Sequence, residues 1–207
     1  MDIEKLKQER AENEHAVLNN VVPTRVPINV NMDLCAVAEY ANVDPRVAYW
    51  DLSVLEKAAE ELCERIPSDV CMLKRSVLLP AKYQALGSMA LQLGNNGFLQ
   101  HPNTHMMEAE EYEEFIADPY AFVVEKAAPR VNQNLDYSKN PARVSMAIQQ
   151  ANQVINAVSA KTGAMNAKLA AKFGYPTKVM GGGGSYAPMD ILSDQLRSFS
   201  GISTDIR

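Results

Sequence analysis

The stretch NPARVSMAIQQANQVINAVSAKTGAMNAKLAAK, residues 140–172, is the longest helical pattern in the chain. Asn140 offers a side-chain oxygen to the first turn, and Pro141 suits the first helical position because its missing N–H would have had no partner there. Alanine, glutamine and methionine fill most of the stretch, and Gly163 is a candidate break. The pattern predicts a helix that begins at residue 141 and a fold that is rich in helix.

Other helices follow from the same kind of signal. Asp-Pro pairs at residues 44–45 and 118–119 predict helices that begin at their prolines. The segment DLSVLEKAAEELCER, 51–65, has apolar residues at helical spacing and predicts an amphipathic helix. Residues 1–19 combine many charges with a thin apolar stripe, which predicts an N-terminal helix on a surface.

Strands are fewer in this sequence. Residues 26–30, VPINV, are rich in β-branched side chains and predict a first strand. Ser68–Leu73 and Thr177–Met180 are short apolar runs that predict a second and a third strand. The order of strand, long helical excursion and strand is typical of parallel βα units, so the predicted fold class is helix-rich α/β.

Composition narrows the class of protein. The 207 residues suffice for one large domain or two small ones, and the net charge of -5 disfavours nucleic acid and anionic membrane surfaces as partners. Three cysteines without a CxxC motif indicate reduced thiols rather than a disulfide framework or a zinc ribbon. The charged N-terminus is no signal peptide, and no apolar run approaches the ~18 residues of a membrane span. These features predict a cytoplasmic protein.

Residues 97–119, GFLQHPNTHMMEAEEYEEFIADP, hold the first candidate site. On one continuous helix His101 and His105 would share a face, as in a zinc site, but Pro102 disfavours helical backbone at the residue before it. The other interpretations are a loop whose histidines bond to backbone groups and a loop that faces a ligand pocket. In the last case Gln100, His101 and His105 would line the pocket, and we assign no metal to them.

The second candidate site is GGGGSYAP, 181–188, between a predicted strand and the helical pattern MDILSDQLRSF. Glycines permit close backbone approach, and successive N–H groups before a helix can hold an anion. A flexible loop, a loop at a substrate mouth and a nucleotide site are all compatible with this pattern, although Asp190 would repel a phosphate. The residues that would line a substrate mouth are Gly182, Gly183, Gly184, Ser185 and Tyr186.

Basic residues form a third candidate feature. They could make a cationic rim for a carboxylate-rich ligand, and scattered solvated side chains explain them equally well. The residues concerned are Arg25, Lys74, Arg75, Lys82 and Lys178. No serine or cysteine nucleophile motif accompanies them, so the chain lacks a complete catalytic set of its own.

Three stretches give the chain a family resemblance: LPAKYQALGS at 79–88, NGFLQHPNTHMMEAEEYEEFIADPYAFVVEKAAPR at 96–130 and GGGGSYAPMDILSDQLRSFSGISTDIR at 181–207. They resemble the uroporphyrinogen decarboxylase family, in the branch related to corrinoid-dependent methyltransferases. The most specific part is the run ME-x-EEY-x-x-F-I-x-DP, here Met107–Pro119.

The resemblance implies a TIM-type (β/α)₈ barrel that binds ligands at the C-terminal ends of its strands, near the glycine-rich loop and the histidine block. Decarboxylases of the family remove acetate carboxyls from a tetrapyrrole without a cofactor. The methyltransferase relatives use zinc to activate a thiol, or dock a corrinoid protein. Such a barrel needs ~250 residues, and neither the arginine-rich PxWxMRQAGR signature nor the His-x-Cys zinc pattern of these relatives has a match here.

We therefore expect residues 1–24 to form a helical extension and 25–207 to form the first part of a barrel, with the remaining catalytic groups beyond Arg207. The complete protein would act in tetrapyrrole decarboxylation or in corrinoid-linked methyl transfer. No cofactor is expected in this chain, and zinc or a corrinoid would serve a full-length methyltransferase. The alternative is a noncatalytic half-barrel subunit or binding module, a homo-oligomer or one that pairs with a second chain to cover an open sheet edge.

Overall fold

A computed structural model describes residues 2–71, 79–102, 105–176 and 188–206. Helices dominate these ranges and a small sheet accompanies them, which confirms the helix-rich α/β class. The chain divides into two compact units. The first comprises Met1–Leu78 with Asn156–Gly181, and the second comprises Leu79–Ile155 with Gly182–Arg207.

The helices of the first unit begin near the predicted positions, except for α2, which the sequence did not indicate. They are α1 (Ile3–Leu18), α2 (Leu34–Tyr40), α3 (Pro45–Ala48), a 3₁₀ turn (Leu52–Leu55) that leads into α4 (Glu56–Arg65), and the last part of α9 (Pro141–Phe173). An aspartate accepts a backbone N–H at the start of α1, α2, α3 and the 3₁₀ turn. These caps satisfy donors that a first helical turn leaves unpaired.

The long helix α9 is the predicted one. It begins at Pro141, and the Asn140 side chain accepts the Arg143 N–H at 3.0 Å. It continues through Gly163 to Phe173, so the break considered at that glycine does not occur.

The predicted strand at 26–30 is not a strand. Ile28 donates its N–H to Asp69 Oδ2 at 2.7 Å and accepts the Asp69 N–H at 2.8 Å. Val30 donates its N–H to Ser68 Oγ at 3.3 Å. Side chains thus supply the acceptors that a neighbouring strand would have supplied, and this prediction was wrong.

The other two predicted strands are only partly covered by the structure. Residues 68–71 form no strand, and the rest of Ser68–Leu73 lies outside the described residues, as does the whole of Thr177–Met180. The parallel βα order that these strands would create stays a prediction.

A buried carboxylate joins distant parts of the first unit. Asp69 accepts two hydrogen bonds from the Arg25 guanidinium, both at 2.7 Å, and one from Arg10 Nε at 3.3 Å. Arg10 also donates to the carbonyls of Phe173 and Gly174, at 2.5 and 3.1 Å. The bond from Arg25 is the main cause that lowers the pKa of Asp69. The network fixes α1 to the end of α9.

The second unit contains shorter elements. They are α5 (Pro80–Leu86), β1 (Gln92–Leu93), β2 (Leu99–Gln100), a 3₁₀ turn (Ala109–Glu111), α6 (Tyr112–Ala117), α7 (Pro119–Phe122), a π-helical turn (Val123–Ala127), α8 (Ala128–Val131), a 3₁₀ turn (Gln133–Leu135), the first part of α9, α10 (Pro188–Ile191), a second π-helical turn (Leu192–Leu196) and α11 (Ser198–Asp205). Helix α7 begins at Pro119, as predicted.

None of the helices in the described ranges is long and apolar enough to cross a bilayer.

An antiparallel hairpin is the sheet of this unit. Gln92 lies opposite Gln100 and Leu93 opposite Leu99, and Gly97 in the connecting loop has a φ of 81°. This hairpin was not predicted, since each strand has two residues and shows no alternation. Within the described ranges the structure contains no parallel strand pair.

Apolar side chains close the core of the second unit. Met107, Phe122, Ala127 and Leu196 are buried together. Phe115 packs edge-on against Phe122, with ring centroids 5.7 Å apart. This cluster lies beneath the segment that carries the most specific family-like run, and it holds α6 and α7 against the second π-helical turn.

Two glycines provide a matched test of the first unit. Gly174 has a φ of 66°, and a Cβ there would lie 2.9 Å from the Ile3 carbonyl oxygen. We expect Gly174→Ala to lower the free energy of unfolding by about 1–3 kcal/mol, because alanine is strained in the left-handed region. Gly163→Ala should raise it by about 0.5–1 kcal/mol, since a Cβ at this helical position meets nothing within 4 Å.

Urea unfolding followed by far-UV circular dichroism measures both changes. A Gly174→Ala variant as stable as the parent would contradict the described packing of α1 on residue 174. Shifts of equal sign in the two variants would contradict it as well.

Candidate functional site

The family-like run Met107–Pro119 builds its own helix starts. Glu108 and Glu111 form a reciprocal capping box, in which the Glu111 carboxylate accepts the Glu108 N–H at 2.8 Å. Asp118 caps α7 by accepting the Ala121 N–H at 2.9 Å. Several acidic residues of the run are therefore used to shape the backbone.

Arg130 binds this run from α8. Its two terminal nitrogens lie 2.5 and 2.6 Å from the Glu111 carboxylate oxygens, a bidentate pair, and Nη1 also donates to the Met106 carbonyl at 3.0 Å. The Arg130 guanidinium is the main cause that lowers the pKa of Glu111 to about 2.

Arg197 binds the same run from the other end of the unit. It is buried, and it donates to both Asp205 carboxylate oxygens at 2.7 and 2.8 Å and to the Met107 carbonyl at 2.8 Å. Tyr112 Oη donates to Asp205 Oδ2 at 2.8 Å. The bond from Arg197 is the main cause that lowers the pKa of Asp205 to about 2. We call Arg130 and Arg197 the arginine clamp, since they hold the carbonyls of consecutive residues.

A cleft of about 740 Å³ lies beside α8 in the second unit. This volume suits a small organic ligand. Its walls come from the π-helical turn Val123–Ala127, α8, the loop that follows α8 and the start of α9. The lining residues are Glu125, Lys126, Pro129, Arg130, Gln133, Asp136, Lys139 and Arg143.

The cations of this cleft differ in how they are paired. Lys126 binds Glu114 at 2.5 Å, and Arg130 binds Glu111. Lys139 binds Asp136 at 2.7 Å, which is the main cause that lowers the pKa of Asp136 to about 2.

Arg143 is the exception. Its guanidinium has no ion-pair or hydrogen-bond partner among the described residues, and Arg143 is exposed. A ligand carboxylate could therefore bind Arg143 without displacing an internal pair.

The described residues of the predicted sites do not line this cleft. Gln100 ends β2, with its side-chain nitrogen 3.5 Å from Asn96 Oδ1, and the exposed His101 follows it. His105 Nε2 lies 2.8 Å from Glu108 Oε1. None of Gln100, His101 and His105 is among the cleft-lining residues. The predicted loop residues 182–186 lie outside the described residues.

The predicted cationic rim is divided between the two units. Arg25 belongs to the first unit, where Asp69 and Glu9 bind it, and Lys82 belongs to the second. Lys74, Arg75 and Lys178 lie outside the described residues. The four cations that line the cleft were not predicted, although their spacing in the sequence indicates a shared surface. Lys126 and Arg130 are four positions apart, and so are Lys139 and Arg143.

Burial raises the pKa of Cys63 and of Cys35, which disfavours the thiolate form that a nucleophile needs. No group of three or more His, Cys, Asp and Glu side chains within the described ranges is arranged to hold a metal ion.

Comparison of the chain with protein-family models, with curated proteins and with solved structures returned no match.

The clamp has a testable pH dependence. The pKa of Glu111 is about 2 in the folded chain and 4.5 ordinarily. Its stabilisation is present above about pH 4.5 and is lost as pH falls toward 2, because the unfolded chain binds the proton first. Glu111→Gln removes this contribution, so the stability difference from the parent should be largest near neutral pH and shrink on acidification.

Urea unfolding at about pH 7, 5, 3.5 and 2.5 follows this difference. Glu113→Gln on the same helix is the control, since the described residues offer the Glu113 carboxylate no partner. A difference for Glu111→Gln that stays constant across this range would contradict the assigned role of Arg130.

Proposed function

We propose that this chain is the N-terminal portion of a uroporphyrinogen-decarboxylase-like protein, and that its second unit binds a carboxylate-rich tetrapyrrole. In this proposal the chain forms the first part of a TIM-type (β/α)₈ barrel that carries a helical extension. The observation that carries the proposal is the cleft with four cations around it, in a chain of net charge -5.

The placement of the family-like stretches supports this proposal. Residues 79–88 and 96–130 lie within the second unit, and so does 182–207. Backbone bonds join two of the stretches directly, since the N–H groups of Met106 and Met107 both donate to the Leu196 carbonyl, at 2.7 and 2.9 Å. The resemblance thus belongs to one compact body, which also contains the cleft.

The charge pattern favours a carboxylate ligand over a corrinoid. A uroporphyrinogen-type tetrapyrrole carries carboxylates around its edge, whereas the side chains around a cobalamin ring end mainly in uncharged amides. Arg143 has no partner among the residues that the structure describes, and Lys139 is largely exposed, so both can turn to a ligand carboxylate. Exposed ion pairs contribute about 0.2–1 kcal/mol each, so several must act together to hold the ligand.

The residues that line the cleft have a binding role in this proposal. The described side chains provide binding and orientation, and we assign no bond-breaking step to them. A noncatalytic binding module would use the cleft in the same way, and turnover of the bound tetrapyrrole separates the two proposals.

Titration of the chain with uroporphyrin, followed by the fluorescence of the ligand, tests the proposal. We expect saturable binding that weakens with salt, and Arg143→Gln and Lys139→Gln should each weaken it by about two- to fivefold. Lys57→Gln is the matched control, since Lys57 is 90% exposed and lies in the first unit. It should leave the affinity unchanged.

Hydroxocobalamin is the comparison ligand. Binding of hydroxocobalamin without binding of uroporphyrin would overturn the carboxylate proposal and favour the corrinoid branch. Uroporphyrin binding that ignores Arg143→Gln and Lys139→Gln would exclude this cleft as the site.

A further inference from the structure

The outer side of α6, α7 and the turn after them is apolar. Ile116 and Tyr120 are 71% and 80% exposed, and Val123 and Val124 are also exposed. We call these four residues the outer apolar face. Surface helices normally place polar residues toward solvent, and here large apolar side chains occupy that side.

The inner side of the same helices is already occupied. Phe122 and Ala127 are buried, and Phe115 packs against Phe122. Within the described residues, the outer apolar face is therefore additional to the core. Large apolar side chains exposed on neighbouring helical turns are typical of an interaction surface.

Unpaired acids accompany the face. Glu110 and Glu113 are exposed and, among the described residues, have no ion-pair partner. The neighbouring acids differ, since Glu111 binds Arg130 and Glu114 binds Lys126. The negative charge that remains uncompensated is thus on the exposed side of these helices.

We propose that the outer apolar face docks a basic amphipathic helix, with apolar side chains on Ile116 and Tyr120 and Lys or Arg at the glutamates. Charge complementarity selects this occupant. A second copy bound through the same face would bring the two sets of glutamates together, because a symmetric interface pairs each patch with itself. This surface is separate from the proposed tetrapyrrole function.

A synthetic amphipathic peptide of leucine and lysine is the probe. Its binding to the full chain is followed by fluorescence anisotropy, with a scrambled peptide of equal composition and a leucine–glutamate peptide alongside. We expect binding of the ordered leucine–lysine peptide. Ile116→Ser with Tyr120→Ser should weaken it by about tenfold or more, and Glu110→Gln with Glu113→Gln should weaken it about threefold and reduce its salt dependence.

Val22→Ser is the matched control, since Val22 is 91% exposed and lies in the first unit. Far-UV circular dichroism verifies that every variant is folded. Absence of binding, equal binding of the scrambled or leucine–glutamate peptide, or binding unchanged by Ile116→Ser with Tyr120→Ser would overturn the proposal. A dimer in light scattering that these two substitutions abolish would also overturn it, in favour of a second copy.

Discussion

The buried guanidinium of Arg197 is the interaction on which the second unit depends. Its side chain is 9% exposed, and a charge so far from water must be paired to be tolerated. Asp205 and the Met107 carbonyl supply three hydrogen bonds. Met107 is 90 positions away in sequence, so this one group sets where α11 lies relative to the family-like run. Arg130 then completes the clamp at the neighbouring carbonyl of Met106.

The first unit also depends on a buried charged group, which here is an anion. Asp69 accepts hydrogen bonds from Arg10, Arg25 and the Ile28 N–H. In both units a single buried ionic group gathers segments that are distant in sequence, and strand pairing does not connect those segments. A carboxylate or guanidinium can form hydrogen bonds to several backbone segments at once, whereas one edge of a strand pairs with a single neighbour.

The difference between adjacent and distant bonding partners explains which elements were predictable from the sequence. Helix starts at 45, 119 and 141 were predictable, because the capping side chain and the proline are adjacent to the turn they stabilise. The strand at 26–30 was wrongly predicted because its backbone partners, Ser68 and Asp69, lie about forty positions away. The local preference for extended backbone was predicted correctly, but the hydrogen-bond partner of that backbone is a distant carboxylate.

The candidate cleft escaped prediction for a related reason. A basic residue can be read from the sequence, but its pairing cannot. The acidic run from Glu108 to Asp118 divides its charge between two sides of the helices: Glu111 and Glu114 neutralise Arg130 and Lys126, while Glu110 and Glu113 stay unpaired within the described residues. At the cleft, Arg143 has no partner among the described residues, and the unpaired glutamates leave a negative charge beside the outer apolar face. Both proposed surfaces therefore follow from which glutamates of one run pair with Arg130 and Lys126.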